Sequence, residues 1–472
     1  MIFKKTLCGI LYALCLFFVL VGCQGKFLQL KPVLTEEGEV FLYIQPFPQE
    51  ADRLRFTIDE ISAISSDGKE YPISFNLHEL KGREMKRQRL LGSVRLPPGT
   101  YLGLTLKVTK AFLRGEEGEA ALLVPEAPER MNFHFNVIRT KAYLISMTFK
   151  YAESISRGFN FNPVFSLSIP AKPINELVGY VTNYDSNNIT VFDKSSGQAV
   201  AVIATGRRPA GMALDQTRRR AYVAISGDDT INFIDVTQGD IINRIRLNTG
   251  DRPQEIALTP DGNTLLSVNT GSNKVSFINP ISLLELSRID VGNGPNSVLI
   301  DSTGRRAFVF NYLSSTISVI DVPNKAIITT ISTDPGPLRG QFNRRGDRLY
   351  VIHELSSYLT VIDPASLTVL RRFSVRLGMN SIKVDTKTDL VYLGRKNDIV
   401  VEAYDPNSFV PVDSIRTGGN ITYMTIDGEV NNLHFLSSEK KTLMIARLVS
   451  KKVITEMDVG ESPYWVTMMG ER

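Results

Sequence analysis

The chain has 472 residues, with 54 basic and 49 acidic side chains, four histidines, three cysteines and a single tryptophan. Its formal charge of +5 falls to +3 without Lys4 and Lys5, too little to indicate a nucleic-acid partner by charge alone. The length admits more than one domain.

Two lysines at positions 4 and 5 precede an almost wholly apolar run over residues 6–22, the charge and hydropathy pattern of a secretory signal. The run ends in Leu20-Val21-Gly22-Cys23, which is similar to a bacterial lipobox. That resemblance implies removal of residues 1–22, a diacylglyceryl group on Cys23 and acylation of the new amino terminus, palmitate included. Residues 23–26 then form a lipidated tether, and several acyl chains at about 0.8 kcal/mol per buried CH₂ hold it on a membrane. Gln24, next to the cysteine, resembles outer-membrane sorting in a diderm cell envelope. Cys8 and Cys15 leave with the signal, so the mature chain is expected to have no disulfide, cysteine nucleophile or thiolate metal site. No later window reaches the ~18 apolar residues of a membrane span.

Residues 27–170 alternate as strands at 39–46, 54–65, 93–113, 131–137 and 142–150, with a Ser66-Asp67-Gly68 turn after the second. Strands separated by turn signals in this rhythm indicate a β-sandwich. The order, from that turn through LPPGTYLGLTLKV to FNPVFSLSI, loosely resembles small β-sandwich modules of bacterial lipoproteins. The basic stretch GREMKRQRL at 82–90 reads as a solvated surface loop, and 171–177 as a linker.

From residue 178 to 472 the chain repeats. The dipeptides Phe192-Asp193, Ile234-Asp235, Ile278-Asn279, Ile320-Asp321, Ile362-Asp363 and Tyr404-Asp405 follow one another at 42, 44, 42, 42 and 42 residues. A glycine-proline turn keeps the same beat at Thr205, Thr249, Val291, Thr333 and Val459, with degenerate copies at Val375 and Thr417. Seven connections of this kind, with room for four short strands between them, predict a seven-bladed β-propeller in an all-β chain. The last unit stops after a first strand (463–470) and the first unit begins at a second strand (179–183). Pairing of the C-terminal strand with the first hairpin would close the ring and remove two exposed edges. YVTN at 180–183, the N-x-I/V-x-V-I/F-D that follows, and the G-x-x-P turns resemble the YVTN family of surface-layer-type propellers over 178–470. Trp465 is not followed by Asp, and the sole Gly-Gly pair is Gly418-Gly419, so neither WD nor kelch repeats apply.

Asp193, Asp235, Asp321, Asp363 and Asp405 recur too regularly for catalysis and are expected to accept from backbone N–H groups in the turns that follow. His434 fills the slot of Tyr180, Tyr222, Leu266, Phe308, Tyr350 and Tyr392, a core position, and His78 and His134 read as structural. His353 shares its slot with Asn183, Asn269, Asn311 and Arg395 at the end of a second strand, which predicts that it looks out toward the hairpin tips. Scattered histidines and no spare thiol leave no expected metal or cofactor. Arg218 to Arg220, Arg305-Arg306 and Arg344-Arg345 are expected to rim the opposite face. The face of tips and G-x-x-P turns gathers the candidate binding residues: Tyr184, Asp185, Arg207, Arg208, Asp228, Asp229, Arg252, Tyr312, His353, Glu354, Arg395, Lys396, Glu461, Tyr464 and Trp465. Variable side chains on a fixed frame mark where a propeller binds.

These readings converge on a lipid-anchored scaffold of the cell envelope that binds a protein or glycan partner without catalysis, as the YVTN resemblance implies. Two alternatives stay open. A lactonase or hydrolase would have to use Glu354, His353, Asp228, Asp229 and Arg252. A single-stranded nucleic-acid binder would have to stack bases on Tyr184, Tyr312, Tyr464 and Trp465.

Overall fold

The strand Gly38–Ile44 is buried along its whole length, because each of its faces meets a different core. Val40, Leu42 and Ile44 point into the interior of the part that precedes the repeat, the front module, while Phe41 and Tyr43 point the other way, into a cluster with residues of the repeat region. Such a near-continuous apolar run is the signature of a strand covered on both sides. This is a computed structural model that describes residues 31–116 and 118–471; the signal and Cys23 lie outside the described residues.

Gly38–Ile44 runs parallel to Ala142–Phe149, from Glu39 opposite Ala142 to Ile44 opposite Met147, and antiparallel to Arg89–Leu96. With Phe165–Ser168 and Ser74–Phe75 they make a five-stranded sheet. A six-stranded sheet is built around the long pair Leu54–Ser65 and Gly99–Arg114. Side chains of both sheets share one core, with Phe56, Phe149 and Phe161 among its rings. The segment expected as one strand at 93–113 is two. Pro97 and Pro98 lack the N–H a ladder needs, so Arg89–Leu96 ends in one sheet and Gly99–Arg114 begins in the other.

The basic stretch 82–90 is not the solvated loop its charge suggests. Arg87 Nη1 and Arg89 Nε donate to the two carboxylate oxygens of Asp458 at 2.5 and 2.8 Å, and the backbone N–H of Leu90 adds a third bond at 3.1 Å. Between the arginines, buried Gln88 donates to the Ala199 carbonyl at 3.0 Å and accepts from the Ala199 N–H at 2.8 Å. The stretch therefore fastens the front module to the propeller.

The repeat region folds as seven four-stranded antiparallel sheets, numbered blades 1 to 7. Blade 2 is typical, with Pro209–Asp215 innermost, then Arg220–Ile225, Thr230–Asp235 and Asp240–Arg246. Blade 1 draws on both ends of the region: Val178–Asn183, Asn188–Asp193 and Gln198–Ala204 are joined by innermost Pro463–Met468. That last strand pairs with the first from Gly179 opposite Met468 to Thr182 opposite Trp465. Thr182, of the YVTN motif, receives the Trp465 N–H at 3.1 Å and donates to the Ala210 carbonyl of blade 2 at 2.8 Å.

The recurring aspartates do cap turns. Asp193 accepts from the N–H of Ser195, Asp235 from Gln238, Asp321 from Asn324, Asp363 from Ala365 and Asp405 from Ser408, all at 2.8–2.9 Å. A bulge also recurs in every outer strand, leaving Val200, Ile242, Leu286, Ile328, Leu370, Val412 and Ile454 unpaired. A bulge twists an edge away from pairing with another chain.

Candidate functional site

In four of the seven blades the end of the second strand holds a side chain that reaches seven residues on, into the third strand. Asn183 Nδ2 donates to Thr190, Asn269 Nδ2 to Ser276 and Asn311 Nδ2 to Ser318, at 2.7–2.9 Å. Arg395 does the same with Glu402 at 2.8 Å and also binds Asp398. The slot staples the hairpin from within, and this corrects two of the candidates. His353 is 0% exposed, with Nδ1 3.1 Å from the Tyr358 carbonyl, and burial pulls its pKa down to about 4. Arg395 is 6% exposed and committed to its two carboxylates. Neither presents its polar group to a partner.

Asp229 is a turn anchor rather than a face residue, accepting the N–H groups of Gly250 and Arg252 at 2.8 and 2.7 Å. Asp228 holds Arg207 through its backbone N–H and its guanidinium. Asp185 accepts from Ser462, and Glu461 pairs with Lys441 at 2.7 Å. The hydrolase set therefore does not assemble: the side chains of Glu354, His353, Asp228 and Asp229 are each engaged within their own or an adjacent blade. Among the described residues no group of three His, Cys, Asp or Glu side chains is placed to hold a metal ion.

Two groups of side chains do meet across blades on this face. Tyr312, Glu354 and Lys396 occupy one slot in blades 4, 5 and 6. Glu354 accepts from the Tyr312 hydroxyl at 3.1 Å and from Lys396 Nζ at 3.2 Å. Burial, then the Glu354 charge, raises the Tyr312 pKa. Nearer the axis, the Tyr184 and Tyr464 rings lie 5.7 Å apart, and Arg208 sits 5.5 Å over Tyr184. The Tyr464 hydroxyl receives Gln254 Nε2 at 2.7 Å, and Gln254 Oε1 is 3.4 Å from Ser226 Oγ. Gln254 and Tyr464 belong to inner strands of blades 3 and 1, so their bond spans the intervening blade at the mouth of the central channel.

One residue deeper lies a set that the sequence reading missed. The second residue after each turn proline, or its equivalent, forms one level of the channel wall: Gly211, Glu255, Ser297, Arg339, Ser381, Tyr423 and Trp465. Arg339 Nη1 donates to Glu255 Oε2 at 2.9 Å, with the two side chains only 11% and 5% exposed. Ser297 Oγ supports the same carboxylate at 2.9 Å. Across the axis the Arg339 guanidinium lies 4.9 Å from both the Tyr423 and Trp465 ring centres, and those rings stack at 4.1 Å. Burial pushes the Glu255 carboxyl up against the pull of Arg339; burial also opposes the Arg339 cation, and Glu255 with Tyr464 and Tyr423 together more than offset it. Trp465, expected on the face, is 9% exposed inside the channel. Gly211 is glycine because a Cβ there would come within 2.8 Å of the Glu255 backbone. At the far end Glu471 accepts from Thr425 and Thr467 and lies 3.9 Å from Lys383 Nζ. The channel is thus occupied by its own side chains and ends, on the turn face, at the Gln254–Tyr464 bond. Aligning the repeat and reading down this single position would have found the set.

No curated protein matches the chain. Among solved structures, a functionally unknown protein from Desulfotomaculum acetoxidans DSM 771 superposes with a TM-score of 0.55 at 14% identity, over 62% of this chain and 98% of that one. The dihydro-heme d1 dehydrogenase NirN, in complex with DHE, gives 0.51 at 12% identity, over 64% and 78%. At such identities the likeness is one of fold. Residues 175–391, just under half of the chain, match the family of YNCE-like β-propellers, and with its succession of four-stranded sheets the protein is a β-propeller protein.

Proposed function

We propose that the protein is a lipid-anchored scaffold of the cell envelope that binds a partner through the turn face of its propeller. On this reading residues 1–22 are a removed signal, Cys23 carries the lipid and 23–26 are the tether. Residues 27–170 are a β-sandwich, 171–177 the linker and 178–472 a seven-bladed ring closed by pairing the last strand with the first hairpin. In a diderm cell Gln24 directs it to the outer membrane.

The observation that carries a binding role is the pairing of charges on the face. Glu354 is shared by Tyr312 and Lys396 and Asp228 by Arg207, while beneath the face Glu255 pairs with Arg339. Such groups are held in place and neutralised, which suits recognition of a surface; an acid–base site needs an ionisable group left poised to exchange a proton. The test is photo-cross-linking in the native envelope with Tyr184→Ala, Tyr312→Ala and Lys396→Ala combined. The triple variant should melt like the parent and lose the parent's cross-linked species. An unchanged pattern sinks the face as the binding site. Cys23→Ser should move the protein from the membrane to the soluble fraction, and persistent membrane association would refute the lipid tether.

A further inference from the structure

The mouth of the channel is chemically unlike the rest of the face. Its wall is contributed by the residue directly after each turn proline or its equivalent: Ala210, Gln254, Asn296, Leu338, Asn380, Thr422 and Tyr464. Five of the seven are polar, and none carries a charge. Among the described residues, Asn380 is engaged only through its carbonyl oxygen, which accepts from Ser381 Oγ at 3.4 Å, and Asn296 only through Nδ2 to the Leu338 carbonyl at 3.4 Å. Both side chains are part-exposed and have donors and acceptors to offer. The floor beneath them holds one cation and one anion, Arg339 and Glu255, already joined to each other. Set into that floor is Trp465, nine-tenths buried, whose indole Nε1 has no hydrogen-bond partner among the described residues.

We propose that this mouth binds a neutral saccharide residue, an inference that rests on the turn face being the binding face. Side-chain amides bind the vicinal hydroxyls of a pyranose in pairs, since each hydroxyl both donates and accepts. The part-exposed ring of Tyr464 meets the apolar C–H face of the same sugar, above the buried Trp465. A phosphate or uronic acid finds no unpaired cation on this floor, because Glu255 neutralises Arg339; the nearby cation, Arg208, lies to the side over the Tyr184 ring. Neutral sugar is therefore favoured over acidic polysaccharide or nucleic acid.

The chain's single tryptophan lies in the proposed site and reports on it directly. The full mature protein in detergent micelles is titrated with neutral di- and tetrasaccharides of glucose, galactose and N-acetylglucosamine, and with oligogalacturonate, while Trp465 emission is followed. A saturable change with at least one neutral sugar is expected. Asn380→Leu and Gln254→Leu should each weaken it by about tenfold, the loss of one or two hydrogen bonds, with melting temperatures near the parent's. A response to oligogalacturonate alone overturns the neutral assignment. No response to any sugar, while face-dependent cross-links to an envelope protein persist, overturns the saccharide inference and leaves the scaffold reading standing. Loss of both overturns both.

Discussion

Asp458 offers the most direct measure of how the front module and the propeller hold together. Its carboxylate is 14% exposed and collects Arg87, Arg89 and the Leu90 N–H, while its own carbonyl receives the Tyr43 hydroxyl at 3.3 Å. Asp458→Ala removes the three bonds to the carboxylate. A hydrogen bond to a charged group contributes about 1.5–3 kcal/mol, but Arg87 and Arg89 keep 27% of their side chains exposed and regain water once released. We therefore set the loss at about 2–4 kcal/mol, below the sum of the three. For roughly 440 residues melting as one, with an unfolding entropy near 2 cal/mol/K per residue, 3 kcal/mol lowers Tm by about 3 °C. Differential scanning calorimetry measures it, with Asp290→Ala as the control. Asp290 is 83% exposed in its pair with Lys274, and such a pair contributes under about 1 kcal/mol. If Asp458→Ala melts no lower than Asp290→Ala, the contact is decorative and the account of stretch 82–90 is wrong. A split of one transition into two would show in addition that the clasp couples the two parts.

His434→Phe should flatten the acid limb of the stability profile. Burial pulls His434 to about 4, whereas the unfolded chain protonates near 6.5, so stability is complete above pH 6.5 and falls as pH drops toward 4, by about 3 kcal/mol in all. Urea midpoints at pH 7 and 4.5 test this, and parallel profiles for the two proteins would refute it. Glu255→Ala should cost about 3–5 kcal/mol by leaving Arg339 buried without a counter-charge, and Glu255→Met with Arg339→Met should cost less. Chemical denaturation gives both values, and a double variant worse than the single would contradict the argument. Truncation before Pro463 should abolish cooperative melting, because it strips the inner strand from blade 1; a sharp transition in the truncated protein would show that the last strand is dispensable.

What could be read from the sequence was whatever is enforced locally. The 42-residue beat is set by turns whose partners lie two or three residues away, as Asp193 with Ser195 and Asp235 with Gln238. The stapling slot was visible as a position, but its direction was misjudged for His353 and Arg395. Asn183 and Thr190, seven residues apart on adjacent strands, held the clue that the slot looks inward. The remainder is long-range. Glu255 and Arg339 are 84 residues apart, and Arg87 and Asp458 are 371 apart. Charge runs carry no record of such distant partners, so 82–90 resembled any solvated loop.

Trp465 links the closing strand to the channel floor. Its backbone N–H is held by Thr182, the residue through which the last strand meets both the first hairpin and blade 2. Its ring is held by Tyr423 and Arg339, and through Arg339 by Glu255 of blade 3. The strand that completes blade 1 is therefore fixed by its ladder on one side and by the channel floor on the other. A ligand that binds only the intact mouth stabilises the native state by RT ln(1 + [L]/Kd), about 2.7 kcal/mol at a hundredfold excess over Kd. That gain requires the last strand to be in place, so a mouth ligand should protect the pairing of Pro463–Met468 from hydrogen exchange. The same ligand should not protect the Leu54–Ser65 strand of the front module beyond the effect on global unfolding, because no mouth residue touches it.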